Sequence, residues 1–198
     1  MATEQVRRRA DAERNAETII VVTRDLLAAG IVPAMKEVAG AAQVTRATLY
    51  SHFPTREALL EAVVLKAISE TDEALSALEL ESGDVDEALV RLVRRSWPML
   101  DRSRKVRAAA LRHLGAEALR SHHDAAFRHV EQLITRGRRT GVYRSDLSLD
   151  WLVATFYAVL HAAADEVEAG RLASDAAPEA LIASLRSLLR SEQRDAPG

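Results

Sequence analysis

Cysteine is absent from this chain, so disulfides and thiolate metal sites are excluded. Aromatic residues make up only 4% of it, and runs of Val, Ile, Thr and Tyr bounded by tight glycine turns are missing. No uncharged apolar run reaches the roughly 18 residues that a membrane span requires. The longest, Trp151 to Ala164, stops at Asp165. The first residues, MATEQVRRRADAERN, have four arginines with no apolar segment behind them, which does not fit a secretory signal. A strong charge of one sign is also lacking: the net charge is −2. Residues 1–60 hold 8 basic against 7 acidic side chains, and residues 61–198 hold 19 against 22. The expectation is a soluble cytoplasmic protein with no membrane partner. Any nucleic-acid role must rest on local geometry, since bulk charge does not supply it.

What is present favours helix. The chain has 198 residues, 48% of them hydrophobic and dominated by Ala and Leu, both strong helix formers. The fold class expected is all-α with about nine helices: a three-helix N-terminal head and a larger C-terminal body. Residues 1–60 read as the head and 61–198 as the body. A first helix from about Asp11 ends at Gly30, with Ala16, Ile19, Ile20, Thr23, Leu26 and Leu27 as its apolar stripe. A second spans Ala34–Ala41 after Pro33, and a third, capped by Thr45, spans Arg46–Phe53. Pro54 stops it, and Thr55 caps a long fourth helix from Arg56. Further helices are expected over about Val85–Asp101, where Pro98 should kink or shorten the helix, and over Ser103–Leu119. The last three cover Asp124–Thr140, Leu149–Ala169 and Pro178–Ser191, before a frayed Asp195-Ala-Pro-Gly tail.

The stretch QVTRATLYSHFPTRE, from Gln43, has a distinctive pattern. At 100° per residue, Leu49 and Phe53 point one way and would pack with Val44 on Val38, Ala39 and Leu26. Ala47 and Ser51 point away from that core, flanked by Thr48 and Tyr50, with Arg46 at the exposed N-terminal end. Two small residues allow close approach, and the flanking donors can reach base edges. That suits a helix entering the major groove of DNA. Tyr50, His52 and Arg56, with Lys36 early in the preceding helix, lie where a phosphate backbone would pass, and two helix N-termini can also face phosphates there. No acidic residue occurs from Gln43 to Arg56.

The segment EVAGAAQVTRATLYSHFPTREALLEAV resembles the signature of the TetR family of transcriptional repressors. Val38, Ala39, Val44, Thr45, Thr48, Leu49, Tyr50, His52, Phe53, Arg56 and Glu57 match it, and LLAAG, ending at Gly30, stands at the family's distance. The resemblance implies a helix-turn-helix regulator whose DNA-binding residues are Lys36, Thr45, Arg46, Ala47, Thr48, Tyr50, Ser51, His52 and Arg56. It departs in two places. Gln43 stands where the family usually has glycine, so it should adopt the left-handed conformation at some cost. Helix two has Pro33-Ala34 instead of a Thr or Ser cap.

The body carries fewer signals. WLVATFYAVLHAAA (151–164) is uncharged on every side, and ALIASLRSLL has a similarly broad apolar face, so each has a side left for a partner. The resemblance implies a homodimer through the two C-terminal helices, with recognition helices about 34–36 Å apart on a palindromic double-stranded operator. It also implies a small-molecule effector. Candidate lining residues are Trp97, Met99, His113, Phe127, Ile134, Tyr157 and His161; the alternative is that each is ordinary core. His161 and Asp165 are i, i+4 neighbours that read as a core histidine with a hydrogen-bond partner. HAAAD lacks the glutamate and second histidine of a zinc motif, so no metal or other cofactor is expected. His122, His123 and His129 read as surface residues, and the arginines from Arg91 to Arg112 as a solvated face. Gly-rich phosphate loops, zinc motifs and nucleophile elbows are all missing, so no catalytic residue is assigned. An all-α enzyme and a DNA-binding regulator without an effector remain the alternatives.

Overall fold

The computed structural model describes residues 2–115 and 124–191. Eight helices and no strand occur among the described residues, with Tyr143 and Arg190 forming an isolated β-bridge. The helices are α1 (Ala2–Ala28), α2 (Met35–Ala41), α3 (Arg46–His52), α4 (Arg56–Ser76), α5 (Val85–Leu114), α6 (Asp124–Arg139), α7 (Leu149–Glu168) and α8 (Ala177–Leu189). The chain forms two compact units: Met1–Ser69 with Lys105–His122, and Glu70–Arg104 with His123–Gly198. No helix among the described residues is long and apolar enough to cross a membrane.

The first unit contains the head. Ile19, Thr23 and Leu27 of α1 are buried one turn apart, and the Thr23 hydroxyl donates to the Ile19 carbonyl at 2.7 Å, so its burial leaves no polar atom unsatisfied. Leu27 of the expected stripe is buried in this core, whereas Leu26, expected to meet Leu49 and Phe53, is only half-buried. Val38, Ala39 and Ala42 pack with Leu49 and Phe53, and α4 adds Leu59, Leu60, Val63 and Val64. Val106, Ala109 and Ala110 of α5 complete this core. Truncating a fully buried leucine such as Leu49 to alanine should cost about 3 kcal/mol.

In the second unit, α6 packs on α7 and α7 on α8. Leu152, Phe156, Leu160 and Ala164 supply the buried stripe of α7. They meet Leu89, Leu92, Val93 and Trp97 of α5, Val130, Leu133 and Ile134 of α6, and Leu181, Ile182, Leu185 and Leu189 of α8. Arg136 donates to the carbonyls of Leu80, Ser82 and Gly83, tying the α4–α5 connection to α6.

Two sequence expectations are corrected. Pro98 does not end its helix: α5 runs from Val85 through Pro98 to Leu114. Proline removes one N–H from the ladder. Both Pro98 and Arg94, whose carbonyl loses that donor, are exposed, so water can take the vacant place while Val93 and Trp97 hold the buried side. The part of the expected sixth helix beyond residue 115 lies outside the described residues, as do His122, His123 and the C-terminal tail. His129 is not a surface residue; its Nε2 lies 2.9 Å from a carboxylate oxygen of Asp72. Several arginines of α5 are also tied to other groups. Arg91 donates to the carbonyls of Glu79 and Ser82, Arg94 pairs with Glu179 at 2.9 Å, and Arg104 bridges Asp101 and Glu168 at 2.7 Å each.

Candidate nucleic-acid interface

The turn between α2 and α3 fixes the candidate interface. Gln43 has φ +55°, the left-handed conformation expected for the position where a glycine would cost less. That reversal lets Val44 N–H reach the Ala39 carbonyl at 3.0 Å and brings Thr45 into an extended N-cap conformation. The Thr45 hydroxyl oxygen accepts the Thr48 N–H at 3.1 Å, and the two threonine hydroxyls are 2.8 Å apart. Leu49 is fully buried, so the opposite side of α3 is fixed outward.

That outward side holds the residues expected to meet DNA. Thr45, Arg46, Ala47, Tyr50 and Ser51 are exposed, Tyr50 by 48%. Thr48, His52 and Arg56 are half-buried, and Lys36 is exposed on α2. The Ser51 hydroxyl donates back to the Thr48 carbonyl at 2.7 Å, which leaves its oxygen's lone pairs outward. Among the described residues, no carboxylate pairs with Lys36, Arg46 or Arg56. Thr55 caps α4 by accepting the Ala58 N–H at 3.1 Å, so Arg56 is held at the first turn of a helix.

The start of α2 differs from the sequence expectation in its detail. Ala34 has no acceptor side chain, yet its own N–H is satisfied: it donates to the Glu37 carboxylate at 2.8 Å. Half of a capping box is therefore present, and it places a negative charge where a phosphate would otherwise meet free N–H groups. The Ala34-x-x-Glu37 spacing was the signal available in sequence for this contact.

The effector candidates do not form one group. Phe127 and Tyr157 stack edge-on with ring centroids 4.2 Å apart, and His161 lies 6.1 Å from Tyr157. Burial, with the nearby Asp72 charge second, pushes the Tyr157 phenol above its usual range, so it stays a neutral hydrogen-bonding group. Trp97 stands apart from these three rings. Its indole N–H donates to the Ser174 carbonyl at 2.9 Å, and it backs an open recess of about 490 Å³ with Pro98, Asp101, Ser174, Asp175 and Pro178. Met99 is half-buried on the same helix, Ile134 is wholly buried core, and His113 is exposed in the first unit. The Asp72–His129 pair beside the Tyr157 group was missed in sequence, because its members are 57 positions apart.

The arrangement is that of an all-helical protein with a helix-turn-helix head and a helical body. The family model described as bacterial regulatory proteins, tetR family, matches residues 19–63. Solved structures of similar fold include a TetR-family transcription regulator from Marinobacter aquaeolei VT8, at 16% identity and TM-score 0.68, covering 94% of this chain and 100% of that one. The TetR-like regulator LfrR from Mycobacterium smegmatis, solved in complex with proflavine, is 22% identical with TM-score 0.68 over 90% and 98% of the two chains. The transcriptional regulator FadR from Bacillus subtilis, solved in complex with stearoyl-CoA, is 16% identical with TM-score 0.73 over 86% and 97%. No curated protein matches the chain. Residues 19–63 match the tetR-family model, and the chain has the fold of the TetR family of transcription regulators.

Proposed function

We propose that this protein is a dimeric, sequence-specific DNA-binding repressor, released from a palindromic operator by a small molecule. The observation that carries the reading is the outward side of α3: small Ala47 and Ser51 flanked by Thr48 and Tyr50, with Arg46 at the exposed N-terminal end and no acidic residue from 43 to 56. Arg46, Ala47, Thr48 and Ser51 would enter the major groove, while Lys36, Thr45, Tyr50, His52 and Arg56 would set the register on phosphates. DNA binding falls to residues 1–60, and effector binding with dimerisation to residues 61–198.

Dimerisation is supported by what α7 and α8 leave uncovered. Trp151 is 59% exposed at the start of α7, and Ala154, Ala158 and Ala162 follow it at helical spacing. On α8, Ala180, Ala183, Ser184 and Ser187 are exposed in the same manner. Side chains this small let two helix pairs approach closely, and Trp151 would supply an anchor. The effector reading draws on Phe127, Tyr157 and His161, which combine ring faces with a neutral phenol. Two fold relatives were solved in complex with small molecules, proflavine and stearoyl-CoA, which supports a small-molecule effector for this chain. An effector acts only through its preference for one body conformation, and α4, beginning at Arg56, is the element through which that preference would reach the head.

Fluorescence anisotropy against DNA from upstream of the protein's own gene, beside scrambled DNA, tests the reading. Preferential binding of the native fragment is expected. If the protein also fails to enrich any site from random-sequence DNA, the reading is wrong.

A further inference from the structure

The family match begins at residue 19, yet α1 reaches back to Ala2. Core contacts of α1 start at Ala16 and Ile19. At 1.5 Å per residue, Arg7 therefore stands roughly 18 Å along the axis from Ile19. Every side chain from Glu4 to Arg9 is exposed. Arg8 pairs with Glu4 at 3.2 Å in open solvent, an interaction worth little against competing phosphates. Among the described residues, Arg7 and Arg9 pair with no carboxylate. Successive helical residues are 100° apart, so Arg7, Arg8 and Arg9 splay around the helix and do not form one solvated stripe.

Charge decides what this arm is for. Residues 1–60 hold eight basic and seven acidic side chains. Without Glu4, Arg7, Arg8 and Arg9 the count is five against six, so the net positive charge of the head resides wholly in the arm. Duplex DNA carries one negative charge per about 1.7 Å, and a net-negative head would approach it against repulsion. The arm shares its compact unit with α3, and α1 packs on both α2 and α3. The arginines are therefore carried on the same packed helices as the recognition face.

We propose that the N-terminal part of α1 is a second DNA-contacting element, in which Arg7, Arg8 and Arg9 neutralise backbone phosphates outside the groove that α3 enters. The proposal rests on the DNA-binding reading above. Contacts of this kind carry no sequence information, so the arm raises affinity for operator and unrelated DNA alike.

The test is a salt series of fluorescence anisotropy titrations on the full-length chain. It compares the wild type with the triple variant Arg7→Ala, Arg8→Ala, Arg9→Ala and with the triple lysine variant. Each phosphate released lowers the slope of log K against log salt by about 0.9. The proposed dimer carries six of these arginines, so the alanine variant should lose about five slope units and at least tenfold in low-salt affinity, with its preference for native over scrambled DNA unchanged. The lysine variant should keep the wild-type slope. Arg7→Gln alone, which removes a side chain with no packing role from each protomer, should lower the slope by about two and guards against misfolding of the triple variants. An unaltered slope in the alanine variant, with wild-type binding intact, overturns the arm and leaves the regulator reading standing. A lysine variant as weak as the alanine variant overturns the phosphate assignment. Absence of any DNA binding by the wild type overturns both.

Discussion

The backbone N–H of Ala34 donates to the carboxylate of Glu37 at 2.8 Å, and this contact sets a helix cap and a surface charge at once. Replacing Glu37 by Gln keeps an acceptor of the same reach and removes the charge. Glu37→Gln should fold as stably as the wild type and bind any DNA severalfold more tightly, because a like charge leaves the phosphate path. Glu37→Ala should lose about 1 kcal/mol of stability through the missing cap. Urea denaturation and anisotropy titrations separate the two effects.

Gln43, at φ +55°, occupies a conformation that glycine adopts freely. Gln43→Gly should therefore stabilise the protein by about 0.5–1 kcal/mol, the relief of strain exceeding the added freedom of the unfolded chain. A lower urea midpoint in the variant would show that the Gln43 side chain contributes something the turn geometry does not.

Tyr143 lies directly over Gly137. A Cβ on that glycine would stand 2.1 Å from the ring Cδ2 and 2.5 Å from Cγ. The ring is buried and its hydroxyl donates to the Val85 carbonyl at 3.4 Å, so it has no room to yield. Gly137→Ala should cost about 3 kcal/mol. Tyr143→Ala should be destabilising by a similar amount, and the double variant should be less destabilised than the two added together. Thermal melts of the four proteins measure the coupling.

Arg46→Ala and Tyr50→Ala should each weaken operator binding by tenfold or more while leaving helicity and oligomeric state unchanged, since both side chains are exposed on α3. Circular dichroism and anisotropy check this. Unchanged affinity in both variants would displace the recognition face from α3.

Trp151→Glu should shift the protein toward monomer in sedimentation velocity without loss of helix content, because the residue is mostly exposed within one chain. A dimer as tight as the wild type would place the interface elsewhere.

The head was legible in sequence because its information is local. Leu49, Phe53 and the Thr45 cap lie within one short segment, and the left-handed turn at Gln43 was implied by the resemblance, which has glycine at that position. Pro98 misled for the converse reason: the usual penalty for proline assumes that nothing else holds the helix, and buried Val93 and Trp97 hold this one. The environments of body residues are set by partners far away in the chain. His129 meets Asp72 across 57 positions, and Phe127 finds Tyr157 on another helix. Apolar periodicity says that such residues point inward. It does not say which of them share a wall, so the seven effector candidates scattered among an aromatic group, an open recess, core and surface.

Val106, Ala109 and Ala110 reach the head's core from a helix that begins at Val85. Recombination between related regulators by exchanging heads at a single crossover after α4 would thus bring in a foreign complement for three buried positions. Chimeras that keep the native residues at 106, 109 and 110 with their own head, through a two-crossover exchange, should retain solubility where one-crossover chimeras precipitate. Modularity in this fold is spatial before it is sequential.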